Sequence, residues 1–426
     1  MTSDSGDCHF DIAIVGAGAA GLAVAIFTRR LNRGLSVALF DGAKRPGAKI
    51  LVSGGTRCNV TNTVVTERDF SGGKPAVVRR ILKAFPAAAT RAFFQEIGVS
   101  LHEEPGGKLF PDSNRARDVL AALLNEAARV GASLYPDHRV TSVERDADAF
   151  LVHTSHGVTR ARSVVLATGG LSLPKTGSDG QGYALATRLG HTLVSTTPAL
   201  VPLTLGSPSI HYDLSGVSHL VELTLWVNGA KAKTVTGSML WTHTGISGPA
   251  ALDISRHVMR AQADGAAARL TANFWGGATF DDVDTDLQRA GRDAPKAAAR
   301  TVLALRLPAA LAAALLGAAG IEYDAVFSQL PREKRRALTH AIVEWPLPVT
   351  GTRGYNVAEV TAGGVALEEI DPGTMASRVC PGLWLVGEIL DVDGRLGGFN
   401  FQWAWSTAYV AARSLGSLAR PDDRRT

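Results

Sequence analysis

The chain is poor in cysteine: Cys8, Cys58 and Cys380 are the three it has in 426 residues. An odd number, widely spaced, builds neither a disulfide framework nor a CxxC metal knuckle, and this usage fits a reducing compartment. Long apolar runs are missing too. The longest uncharged one, Leu307 to Ile321, is Ala-rich, contains Pro308 and falls short of the ~18–20 residues that cross a bilayer. The start, MTSDSGDCHF, has no basic segment followed by an apolar one, so no secretory signal, a cytoplasmic location and no membrane partner are expected. Glycine is plentiful at 45 residues but without a G-X-Y period, which excludes collagen and points to backbone-dominated binding loops. No internal repeat is visible.

What is present is a globular composition, 46% hydrophobic and 19% charged, in a chain long enough for two or three packed units or one large fold with an insertion. The net charge of +5 permits an acidic partner without demanding one. Asp11 to Asp41 runs as an apolar stretch, a glycine cluster, an Ala-rich amphipathic stretch and a second apolar stretch closed by an acid, which is a βαβ unit. Helices are expected over 76–104 and 115–131, then a three-stranded meander (HRVTSVERD, AFLVHTS, GVTRA) before a buried strand, SVVLATGG. From about 191 to 280 the texture is short strands, and from 281 to 340 Ala-rich helices. After 346 the Gly-rich, strand-like character returns and ends in a helix at Gln402–Leu415. The expectation is an α/β protein: a Rossmann-like dinucleotide domain from residues 1–191 and 346–426, interrupted by an inserted domain, 192–345, that is β-barrel-like and then helical.

Gly16-Ala17-Gly18-Ala19-Ala20-Gly21 follows a strand and opens a helix, with Asp41 at the end of the next strand. Gly16 allows the tight turn, Gly18 lets backbone approach a pyrophosphate, and Gly21 lets helix and strand pack closely. The helix N-terminus favours phosphate charge, and Asp41 accepts from ribose hydroxyls. The motif alone does not separate NAD from FAD. Two further segments favour non-covalent FAD: the strand end Ala167-Thr168-Gly169-Gly170, and Gly387-Glu388 with Asp391 leading to Gly397-Gly398-Phe399-Asn400-Phe401 before a helix. Free N–H groups at that last helix start suit negative charge on a reduced isoalloxazine. Val140, in the meander's first strand, is counted with the cofactor positions.

These residues resemble the BaiN/RdsA-like FAD-dependent flavoproteins. The matching stretches are GAGAAGLAVA (16–25), PGAKILVSGGTRCNVTN (46–62), ATGGLSLPKTGSDGQGYALATRLGH (167–191), THTGISGPAALDIS (242–255) and EVTAGGVALEEIDPGTMASRVCPGLWLVGEILDVDGRLGGFNFQWAWSTA (359–408). They run in order over nearly the whole chain. Asp41 stands where the family usually has Glu, Thr56 where a third Gly is usual, and the first helix-to-strand turn carries two extra residues. The resemblance implies a two-part FAD domain with a β-plus-helical insert. It also implies redox chemistry on varied substrates: conjugated C=C bonds of steroid acids, a uridine of ribosomal RNA reduced to dihydrouridine, or a small amine that is oxidised.

A flavin supplies the hydride and the protein supplies orientation, a proton and electrostatics. Arg57 is a candidate for balancing charge on flavin or substrate, Asn59 and Asn62 for bonding the ring edge, and Cys58 for donating a proton, against the plainer alternative that Cys58 packs as a small hydrophobe. His243, in a Gly-rich turn, is a candidate general acid or substrate anchor, or a partner of a nearby carbonyl. His191 reads as structural. Glu388, Asp391 and Asp393 lack a His or Cys at ligand spacing, so no metal is expected. No CxxxxC exists for a dithiol relay. With no second GxGxxG, NAD(P)H would serve only as a transient visitor to the flavin cleft, which is expected between the FAD domain and the insert. Basic groups at Arg29/Arg30/Arg33, Lys44/Arg45/Lys49, Lys74/Arg79/Arg80/Lys83 and Arg332/Lys334/Arg335/Arg336 read as solvated faces, or as an RNA rim if several share one edge of the cleft. Trp345, Trp403 and Trp405 stack a planar substrate or fill core. The expected function is thus an FAD-dependent oxidoreductase reducing a conjugated C=C bond of a small molecule or of ribosomal RNA, with amine oxidation or non-catalytic flavin binding as alternatives.

Overall fold

The computed structural model describes residues 9–207 and 210–418, so Cys8 lies outside the described residues. The chain forms two compact units, Met1–Thr196 with Glu359–Thr426, and Thr197–Ala358. Leu193–Ala199 and Val360–Val365, which flank the second unit in sequence, pair with each other.

The first unit is built on a seven-stranded sheet. Ser133–Tyr135, Val37–Phe40, His9–Val15, Gly157–Leu166 and Leu383–Leu385 run parallel, and Ala149–Thr154 and Val140–Asp146 extend it antiparallel. Where the sequence suggests a meander strand followed by a separate buried strand, the structure has one strand, Gly157–Leu166. Its first half alternates in burial beside Ala149–Thr154, and its last residues are wholly buried where parallel neighbours flank them on both sides. The helix Ala19–Leu31 is buried from Ala20 through Thr28 because the sheet lies on one side and the C-terminal helix Phe399–Gly416 on another. Ile12, Ile14, Leu22 and Ile26 are fully buried here, each worth about 1.5–3 kcal/mol relative to exposure.

The second unit holds another seven-stranded sheet, ordered Trp345–Leu347, Ala268–Asn273, Ser218–Val227, Ala230–Thr242, Gly245–Ser247, Leu203–Leu205, Val349–Thr352. The first and last of these are one run of chain parted only by Pro348, so a single segment supplies both edges of the antiparallel sheet. Residues 346–358, assigned from sequence to the C-terminal segment, belong to the second unit, and residues 192–196, assigned to the insert, belong to the first. A 16-residue helix, Gly248–Ala263, also interrupts the stretch read as strands. Pro249 in its first turn and an inward row of Ala250, Ala251, Ile254 and Val258 account for it. Among the described residues no helix is long and apolar enough to cross a membrane.

Candidate functional site

Register delivers the site in the first unit. Val15 is level with Phe40 and Leu166, and Leu166 with Leu385, so Gly16, Asp41, Ala167 and Val386 leave the sheet side by side at the carboxyl ends of parallel strands, where such sheets bind ligands. Backbone bonds knit the exits together: Gly16 N–H to Phe40 O (2.8 Å), Ala167 N–H to Val15 O (2.9 Å), Val386 N–H to Leu166 O (3.1 Å).

The three fingerprint glycines do different work. Gly16 has φ +100°, and a β-carbon there would lie 2.7 Å from Ala167 O. A β-carbon on Gly21 would lie 1.9 Å from Gly16 O. On Gly18, at the head of the helix, it would meet no protein atom within 4 Å, which is the open approach a pyrophosphate needs. Ala17 and Ala20 are buried beneath this turn. Asp41 accepts from Ala17 N–H at one carboxylate oxygen and from Ala43 N–H at the other, both at 2.8 Å, and keeps lone pairs for ribose hydroxyls. His138 N–H donates to Asp41 O at 2.8 Å, two residues before Val140, which is buried at the start of its strand. Thr168 and Gly169 crowd Gly182 and Ser178, and Gly387, at φ +75°, backs onto Ala20.

The start of the C-terminal helix is the second feature. Gly397 and Gly398 have φ +134° and +90°, and a β-carbon on Gly398 would lie 2.9 Å from Asn59 Oδ1. That oxygen is buried and makes no hydrogen bond, so it awaits a donor. An open Gly18 at one helix head and an orphaned Asn59 acceptor beside another fit a flavin dinucleotide.

Other predicted residues are placed differently. Asn62 is spent on backbone, donating to Gly106 O (2.9 Å) and Gly397 O (3.1 Å). Asn400 clasps Gly394 through both amide atoms, Phe399 is buried against Phe70, and Phe401 stacks on Trp405 at 5.6 Å. Asp391 lies against Gly72, where it leaves no room for a side chain. Arg57 forks onto Glu104 (2.5 and 3.3 Å) and lies 4.0 Å over Phe110, so its charge is committed and holds the Glu104 carboxyl below the usual range. Cys58, the other candidate proton donor, has φ +64° and 0% exposure in the core, and burial pushes its thiol up to about 12, the Ser53 hydroxyl drawing it the other way. Trp403 and Trp405 are core, their indoles donating to Gly387 O and Val60 O. His191 bridges Glu369 and Ser377 at 2.7 and 2.8 Å. His243 is exposed in the turn between Ala230–Thr242 and Gly245–Ser247 of the second unit.

One cluster goes unpredicted. Glu388 accepts from Lys49 Nζ (2.6 Å) at one oxygen and from Ser172 Oγ and Thr361 N–H (2.9 Å each) at the other. Lys49 Nζ also reaches Ser172 Oγ at 2.5 Å. Lys49, read from sequence as a solvated charge, is an ion-pair member beside the cradle. All three partners lie in stretches that carry the family resemblance, which was the available signal.

The family model described as the HI0933-like protein Rossmann domain matches residues 10–414. The chain is 34% identical to the ribosomal RNA dihydrouridine synthase of Haemophilus influenzae, covering 94% of this chain and 97% of that one. It is 34% identical to the protein of the same name in Escherichia coli, over 96% and 98%. A 3-dehydro-bile acid delta(4,6)-reductase of Clostridium scindens is 33% identical over 95% and 98%. Matched from its first strand through its last helix, this protein belongs to the HI0933-like Rossmann-domain family of flavoprotein oxidoreductases.

Proposed function

We propose that this enzyme binds FAD non-covalently and reduces a conjugated C=C bond, with a uridine of ribosomal RNA as acceptor. The observation that carries it is the pair of helix heads in the first unit, one open at Gly18 and one facing the unbonded Asn59 Oδ1. N–H groups at the head of Ala19–Leu31 hold the pyrophosphate, Asp41 holds the ribose, and the Gly397-Gly398 turn with Asn59 holds the ring edge. When bound, FAD supplies the hydride that goes to one carbon of the double bond. A protein acid gives the proton to the other carbon; of the two candidates named from the sequence, Cys58 with its raised thiol is the poorer, and His243 is the one tested below. NAD(P)H is the reductant, acting as a transient visitor to the flavin.

The relatives named dihydrouridine synthases support the uridine acceptor. The bile-acid reductase, at nearly the same identity, supports a second acceptor class, a small conjugated ketone. The test is to reduce the purified protein with NADPH in the absence of air and then add uridine-containing RNA or an enone. Reoxidation by RNA, and loss of dihydrouridine from ribosomal RNA when the gene is deleted, is the expected result. Reoxidation by the enone alone, with dihydrouridine unchanged, overturns the RNA acceptor.

A further inference from the structure

The helix hairpin Pro75–Ala84 and Ala87–Glu96 is basic up to its last residue, Glu96, which lies 2.9 Å from Arg30. Between Ser71 and Gln95 the chain holds Lys74, Arg79, Arg80, Lys83 and Arg91 and no acidic residue. All five are exposed. Surface helices ordinarily mix signs, with pairs at i,i+4. Here Arg79 bonds Glu67 (2.6 Å) and Lys74 lies 3.8 Å from Glu368, while Arg80, Lys83 and Arg91 have no ion-pair partner among the described residues. Asp371, the acid near Arg80, is taken by Arg378 at 3.1 Å. Exposed Ala76, Ala88 and Ala92 between the cations keep the surface low enough for a backbone to lie on it.

The hairpin is also firmly joined to the cradle. Val78, Ile81, Leu82, Phe93 and Phe94 are buried on its inner side. Phe85 O, at the turn between the helices, accepts from Gln402 Nε2 (2.7 Å) and Ser406 Oγ (2.8 Å) of the C-terminal helix, the helix that Gly398 caps. Just before the hairpin, Phe70–Ser71 pairs with Asp393–Gly394 and Asp69 bonds Arg395 at 2.8 Å, on the segment that runs into Gly397-Gly398.

We propose that this hairpin is the docking surface for the phosphates of the RNA substrate, with Arg80, Lys83 and Arg91 as principal contacts. The proposal rests on the RNA acceptor put forward above and adds the surface that holds it. Uncompensated cations gain most from a polyanion because they displace its counterions, and their rigid attachment to the Gly398-capped helix fixes the strand relative to the cradle.

The test compares wild type, R80A/K83A/R91A and a control, R332A/K334A/R336A, whose three exposed cations lie on the helix Arg332–Val343 of the second unit. The probe is a labelled single-stranded oligouridylate titrated between about 50 and 200 mM salt. The hairpin variant should bind at least about tenfold more weakly at low salt, and its log–log salt slope should be shallower by about 2, at ~0.7 for each phosphate no longer neutralised. The control should keep the wild-type slope. Flavin content and melting temperature of each variant establish that it is folded. An unchanged slope in the hairpin variant, or an equal loss in the control, overturns the docking surface. In cells, a deletion that leaves ribosomal dihydrouridine intact removes the acceptor itself. A deletion phenotype rescued as well by the hairpin variant as by wild type removes only the surface.

Discussion

Lys49 and Glu388 stand 339 residues apart in sequence, yet Lys49 Nζ lies 2.6 Å from Glu388 Oε2, and Ser172 joins both. Their side chains are 28% and 17% exposed, so the pair is only partly screened by water. It ties the segment after the second parallel strand to the Gly-Glu turn and neutralises a carboxylate next to Gly387, which backs onto Ala20 of the glycine-turn helix.

Lys49→Ala should therefore weaken FAD binding, because it leaves Glu388 as an unpaired negative charge near an anionic cofactor. Adding Glu388→Gln should restore part of the loss, with a coupling of about 0.5–3 kcal/mol in a double-mutant cycle of FAD affinity. Additive effects would show that the two residues do not act together.

The fingerprint glycines separate binding from folding. Gly18→Val should give a folded protein that loses the visible flavin absorbance, since nothing in the protein opposes a side chain there. Gly21→Ala should yield little folded protein, because its β-carbon would lie 1.9 Å from Gly16 O. Circular dichroism melts together with flavin per polypeptide distinguish the two outcomes.

Cys58→Ala should leave substrate-driven flavin reoxidation unchanged and cost about 1 kcal/mol of stability, the scale of one buried heavy atom. His243→Ala should slow the same half-reaction by about 10²–10⁴-fold without altering reduction by NADPH. Stopped-flow measurement of each half-reaction decides, and an unchanged rate in H243A would assign the proton to water or another group.

In the second unit, burial first, then Arg256 and Lys233, hold the His257 imidazole down to about 4 from 6.5. A lowered folded value means the unfolded chain binds the proton more tightly. The stability from neutral His257 is whole above about pH 6.5 and is lost as pH falls toward 4, a change of order 1–3 kcal/mol. Urea midpoints across that window should fall less steeply in H257N than in wild type.

The βαβ unit from Asp11 to Asp41 was legible because its signals are local: a strand, a glycine turn and a helix start are each written within a few consecutive residues. The change of texture near 191 likewise marked the insertion, since periodicity and composition survive without knowledge of the fold. What tertiary structure alone decided was which side chains meet. Cys58, Arg57 and Asn62 occur in one short motif, yet one turns into the core, one forks onto Glu104 and one clasps Gly106 and Gly397. Lys49 finds Glu388 only because the strands Val37–Phe40, His9–Val15, Gly157–Leu166 and Leu383–Leu385 align in one register and bring their following loops to a common edge. Backbone conformation is set chiefly by near neighbours, whereas the partner of a polar side chain is set by strand register and packing among segments hundreds of residues apart, which no local pattern encodes.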